Sequence, residues 1–165
     1  MIRRRADKKP LLPGEKRRTV AGKGGAGKMR GDLENKLYDF FRERSEVAAV
    51  YLFGSQARGD AREKSDVDVA VIFDASLARD RLEAFRRRCG YSVDLEGWLK
   101  KPADVVDLDQ CSPVLAHYAL KDARLVLDRD RDRRLAVVTR QMAMHHDLAP
   151  GREQYLRRVM EGLVR

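Results

Sequence analysis

Apolar and polar positions along residues 32–165 repeat with two periods, one helical and one strand-like. "DLENKLYDFFRERS" (32–45) sets Leu33, Leu37, Phe40 and Phe41 three or four residues apart, one face of an amphipathic helix. "VAAVYLF" (47–53) is an unbroken apolar run rich in strand formers, which predicts a strand buried on both faces. "DVDVAVIF" (66–73) alternates at its start and then turns wholly apolar, a second strand entering the core. "ASLARDRLEAFRRRCG" (75–90) predicts an amphipathic helix ended by Gly90, and "ADVVDL" (103–108) a third strand. "SPVLAHYAL" (112–120) opens with Ser112 and Pro113, a good helix start, and "RLVLD" (124–128) reads as a short edge strand. Residues 131–147 and 151–164 predict two helices joined around Pro150-Gly151. Near the end, Tyr155, Leu156, Val159, Met160 and Leu163 form an apolar stripe, suited either to packing on the body or to meeting a partner.

Charge separates this body from what precedes it. Residues 1–30 hold eleven of the thirty-five basic side chains and two of the twenty-six acids. The whole net charge of +9 therefore lies there, and residues 31–165 are neutral. The expected organisation is a basic, disordered tail over 1–30, a globular domain over 31–130 and a C-terminal helical extension over 131–165. The tail invites weak, charge-driven RNA contact, whereas the neutral body offers no basic nucleic-acid surface. Cys89 and Cys111 have no metal-ligand spacing and read as reduced packing residues. With no apolar run of membrane-spanning length, the chain is expected to be cytoplasmic.

Two stretches bear on chemistry. "VAGKGGAGKM" (20–29) imitates a phosphate loop through Gly22, Gly27 and Lys28. It is preceded by the charged "EKRRT" instead of a buried strand, and Met29 stands where a hydroxyl should ligate magnesium. The stronger signal is "GSQARGDAREKSDVDV" (54–69), lying between the first two strands. Asp66 and Asp68, two residues apart on a strand, present two carboxylates on one face. At ~4 Å such charges repel by roughly 4 kcal/mol at an effective dielectric of 20, a cost that divalent cations relieve. The turn at Gly54-Ser55 offers N–H groups and a hydroxyl to phosphates, and Arg58 adds a charged donor. His145 and His146, adjacent on a helix, cannot chelate one ion together and read as a solvated or interface pair.

The glycine-serine turn, ten-residue spacer and Asp-x-Asp of "GSQARGDAREKSDVDVAVIFD" resemble the DNA polymerase beta nucleotidyltransferase superfamily. Ala57-Arg58-Gly59 and Ser65-Asp66 are similar to its minimal nucleotidyltransferase (MNT) branch, and "ADVVDLDQCSPVLAHYALKDARLVLDRD" is similar to the third-carboxylate strand, helix and following strand of MNT-domain antitoxins. The resemblance covers about residues 32–165. It implies an α/β (α+β) fold, a small mixed sheet flanked by helices, with two Mg2+ ions held by three carboxylates. Asp66 and Asp68 match the paired ligands. Asp104 and Asp107 compete for the third place, and their odd spacing sets them on opposite strand faces, so only one can serve. Asp104, within Ala-Asp-Val-Val, fits the family pattern better, although Ala103 is smaller than the usual valine. Gly54, Ser55, Arg58 and Ser65 match nucleotide-binding positions. The implied reaction is transfer of AMP from ATP to a tyrosine of a HEPN-domain toxin ribonuclease. Alternatives are a small-molecule or RNA 3′-end acceptor, and a non-catalytic protein that masks the toxin.

Overall fold

The computed structural model describes residues 28–163. The phosphate-loop look-alike and the basic tail fall outside them, apart from residues 28–30, where helix α1 (Lys28–Arg42) begins. Strand β1 (Val47–Phe53) runs directly into the one-turn helix α2 (Gly54–Arg58), and strand β2 (Val67–Phe73) follows after a loop. Helix α3 (Arg81–Leu99), strand β3 (Ala103–Asp107), helix α4 (Pro113–Lys121), strand β4 (Arg124–Asp128) and helix α5 (Arg131–Leu163) complete the chain.

The four strands form one sheet in the order β3-β2-β1-β4. β1 is antiparallel to both its neighbours, and β3 lies parallel to β2, so the sheet is mixed as expected. Helices cover both faces, which explains why β1 and β2 read as continuous apolar runs. On one face Leu37, Phe40 and Phe41 of α1 meet Ala84, Tyr91 and Leu95 of α3 over Val67, Val69, Val71 and Phe73. On the other, Ala116 and Ala119 of α4 and Val137 of α5 pack on Ala49, Tyr51, Ala70 and Ile72. The first turns of α5 are therefore part of the body. They are pinned there by polar contacts: the Asp109 carboxylate takes both Arg133 and Arg140, and Gln141 Nε2 donates to Leu108 O at 2.6 Å.

Two boundaries differ from the sequence expectation. Gly90 does not end a helix; α3 continues nine residues beyond it to Leu99. A Cβ at Gly90 would meet nothing within 4 Å, so the residue costs only its weak propensity, ~1 kcal/mol, against the burial of Tyr91 and Leu95 that follow. The stop falls at Lys100, with φ 55° and its N–H bonded to Glu96 O at 2.9 Å. Likewise, α5 runs through Pro150 as one helix instead of two. A proline removes one ladder bond and strains the preceding turn without forcing the chain to reverse. Tyr155, Val159 and Met160 are exposed along its outer half, and the side chains of Leu156 and Leu163 lie outside the described ones.

β3 is an edge strand, and α3 covers its free edge. Arg88 Nη1 donates to Val105 O at 3.0 Å, Val105 N–H donates to Ser92 Oγ at 3.2 Å, and Ala103 N–H donates to Glu96 Oε1 at 3.5 Å. These three side chains recur every four residues, one per turn, so a single helix face satisfies the open ladder.

Candidate active site

The carboxylates meet where β2 begins. Asp68 pairs with Phe53 of β1 on one side and with Asp104 of β3 on the other. Residues opposite one another in neighbouring strands share a face, so Asp68 and Asp104 stand side by side. Asp66 lies just before β2, exposed, as is Asp104, while Asp68 is half-buried. Burial, then the neighbouring Asp104 and Asp66 carboxylates, push Asp68 above its ordinary value, and Arg58 opposes them. Asp68 thus feels both of its acidic neighbours. Asp107 pairs with Val71 and is only 4% exposed. Its Oδ1 accepts the Asp109 N–H at 2.8 Å, and its Oδ2 has no hydrogen-bond partner in good geometry among the described residues.

Gly54 brings α2 against this cluster. Its φ of +68° is open to glycine, and a Cβ there would stand 2.1 Å from Asp68 Oδ2. Only a residue without a side chain lets the turn approach the carboxylate so closely. Ser55 follows at the start of α2, where backbone N–H groups favour an anion. Gly59, at φ 84°, closes α2 with its N–H on Ser55 O at 2.9 Å. Arg58 pairs with Asp60 at 3.2 Å, and its charge also reaches Asp68. Ser65 Oγ accepts the Arg62 N–H at 2.8 Å, and Gln56 Nε2 donates to Ser65 O at 3.4 Å, so Ser65 fastens the loop between α2 and β2.

This donor set suits a hard divalent cation. As they stand, no three acidic, histidine or cysteine side chains among the described residues converge tightly enough to hold one. Magnesium commonly binds one or two carboxylates and completes its shell with water and substrate phosphates.

A polymerase beta nucleotidyltransferase family model matches residues 35–132 and so spans every element of the cluster. The chain belongs to that family. A protein adenylyltransferase, MntA, of Shewanella oneidensis is 29% identical over 128 residues, covering 77% of this chain and 87% of the relative. A protein of the same name from Aphanizomenon flos-aquae is 28% identical over 88 residues, covering 50% and 58%. Among solved structures, a toxin–antitoxin crystallised with AMP-PNP superposes with a TM-score of 0.64 at 26% identity, covering 77% of this chain and 98% of that one. A Shewanella oneidensis complex of a tri-AMPylated HEPN toxin with its MNT antitoxin matches at a TM-score of 0.62 and 22% identity, which shows the shared fold. The family and its nucleotidyltransferase class agree with the resemblance carried by residues 54–74.

Elsewhere, His145 of this nucleotidyltransferase stacks on His117 of α4 at 4.0 Å, and His146 is exposed. Among the described residues no helix is long and apolar enough to cross a membrane. Sequence reasoning missed the residues that line one recess with Asp104: Phe85 and Arg88 of α3, Gln110 between β3 and α4, and Leu115 of α4. No local signal marks them, because they converge only once α3 and α4 pack beside β3.

Proposed function

We propose that this chain is an antitoxin that transfers AMP from ATP to a tyrosine hydroxyl of a HEPN-domain toxin. The observation that carries the reading is the Asp68–Asp104 pairing beside Gly54, with Asp66 close enough to raise Asp68. Membership of the nucleotidyltransferase family, and similarity to a protein adenylyltransferase and to a toxin–antitoxin complex crystallised with AMP-PNP, support it. In this reading the backbone at Gly54-Ser55 and the Ser55 hydroxyl bind the triphosphate, Arg58 adds charge, and Ser65 holds the intervening loop in shape. Asp66, Asp68 and Asp104 would hold Mg2+, which neutralises the phosphates and the charge that develops on pyrophosphate. The acceptor oxygen forms a bond to the α-phosphorus, the bond to the bridging oxygen toward the β-phosphate breaks, and pyrophosphate departs. Asp104, beside the acceptor, takes the hydroxyl proton.

The double substitution Asp66→Asn, Asp68→Asn tests this. It is nearly isosteric and removes like-charge repulsion, so the melting temperature holds or rises. Transfer falls by ~10²–10³ or more, since two stabilising groups are lost. Intact mass of the co-expressed toxin should then show no added AMP, and cells expressing the toxin should lose protection. Full protection by the folded double variant, with no mass added to the toxin, would instead make the protein a mask.

A further inference from the structure

A recess of about 330 Å³ opens beside the edge strand, lined by Phe85 and Arg88 of α3, Asp104, Val106 and Asp107 of β3, Gln110 and Cys111 of the following turn, and Leu115 of α4. A larger one, about 530 Å³, lies at the opposite end of β1 and β2, but there Arg129 already donates to the carbonyls of Arg42, Arg44 and Val47 and serves the fold. The smaller recess has three properties that the fold does not account for. It adjoins Asp104, the carboxylate proposed to take the acceptor proton. Its walls include Phe85 and Leu115, which are 52% and 41% exposed, so apolar surface is left uncovered on both helices. And Asp107, almost fully buried, lines it with an Oδ2 that no described residue meets in good hydrogen-bond geometry, although the Gln110 side chain stands near enough to pull its carboxyl down.

We propose that this recess is the acceptor pocket. It receives the phenol ring of the acceptor tyrosine with the hydroxyl toward Asp104, and Asp107 Oδ2 accepts a hydrogen bond from the acceptor chain beside that ring. This rests on the adenylyl-transfer reading and deepens it by assigning residues that select the acceptor. A volume near 330 Å³ is at the low end of small-ligand pockets, ~300–1,000 Å³, and suits one aromatic side chain. A ring covers the apolar walls, whereas serine or threonine would leave them in water. Arg88, with its guanidinium 5.1 Å from the Phe85 ring centre and bonded to Val105 O, holds the α3 wall in place. Cys111 does not compete as a nucleophile: burial, then the Asp107 charge, push its thiol up to about 11.

The test uses the full-length protein and three short peptides that differ only in a central tyrosine, phenylalanine or serine. AMP transfer is followed by mass, and binding of the labelled phenylalanyl peptide by fluorescence anisotropy. Leu115→Trp fills the recess from a half-exposed position, and Phe85→Ala, which removes one wall, serves equally if the first variant fails to fold. Wild type should adenylylate the tyrosyl peptide and ignore the seryl one. Each variant should raise KM for the tyrosyl peptide on the order of tenfold and weaken phenylalanyl-peptide binding in proportion, with ATP affinity unchanged. Asp107→Asn, which keeps an acceptor oxygen, should retain more peptide affinity than Asp107→Leu. The assignment is overturned if wild type binds no phenylalanyl peptide, if it adenylylates the seryl peptide as readily, or if folded variants bind as wild type does. Equal loss of ATP affinity overturns it too, since the recess would then belong to the nucleotide. Because peptide binding is read without turnover, absence of transfer in wild type counts against the adenylyl-transfer reading alone.

Discussion

At Gly54 the backbone φ is +68° and the space a Cβ would need is filled by Asp68 Oδ2, so Gly54→Ala meets two separate penalties. The backbone term alone is ~1–2 kcal/mol. Displacement of the Asp68 carboxylate adds to it and removes AMP transfer. Combining Gly54→Ala with Asp68→Ala should recover the steric part of the melting temperature, not the backbone part, and no activity. Asp107 supplies a different residue-scale test. Burial pushes its carboxyl up to about 6 from 3.8, against the pull of Arg133 and Arg88. With the folded value above the unfolded one, the native state binds the proton more tightly between those two values. Its contribution to stability is therefore full below about pH 4 and lost as pH rises through about 6. Asp107→Asn, which never charges, should be more stable than wild type at pH 8 by on the order of 2 kcal/mol and show no such gain at pH 4. Urea unfolding at the two pH values checks it; an equal gain at both would contradict the burial argument.

At the scale of elements, α3 holds β3 by its edge, and β3 carries Asp104. Ser92→Ala leaves Val105 N–H facing a helix without an acceptor, which should cost about 1–2 kcal/mol in thermal unfolding. ATP affinity should stay near wild type, because Ser92 touches none of the proposed nucleotide-binding residues. Strand positions and the apolar face of α1 were legible from periodicity, and the start of α4 from Ser112 and Pro113, signals that depend on neighbours along the chain. The extent of α3 and α5 was not. Gly90 and Pro150 carry local stop signals, yet α3 is continued by the burial of Tyr91 and Leu95 on the sheet, a gain no local window records. The edge cover by Arg88, Ser92 and Glu96 was equally hidden, since charged residues at helical spacing look like any solvated face.

For the molecule as a whole, the net charge of +9 sits in residues 1–30, while every residue of the proposed site lies between Gly54 and Leu115. Deleting residues 1–27 should therefore leave AMP transfer and ATP affinity within about twofold of the full chain, a difference of under ~0.5 kcal/mol. Loss of ATP binding on deletion, reproduced by Lys28→Ala, would give the glycine-rich stretch a nucleotide role after all. The sequence by itself determined the sheet's buried strands and the family, because these depend on residue type and short spacing. Tertiary structure alone decided which strand neighbours β2, and therefore that Asp104 stands beside Asp68 while Asp107 is buried. It also decided that Phe85 and Leu115, thirty positions apart, wall one recess. Register and helix docking are set by how whole surfaces fit together, and that fit is not written at any one position in the chain.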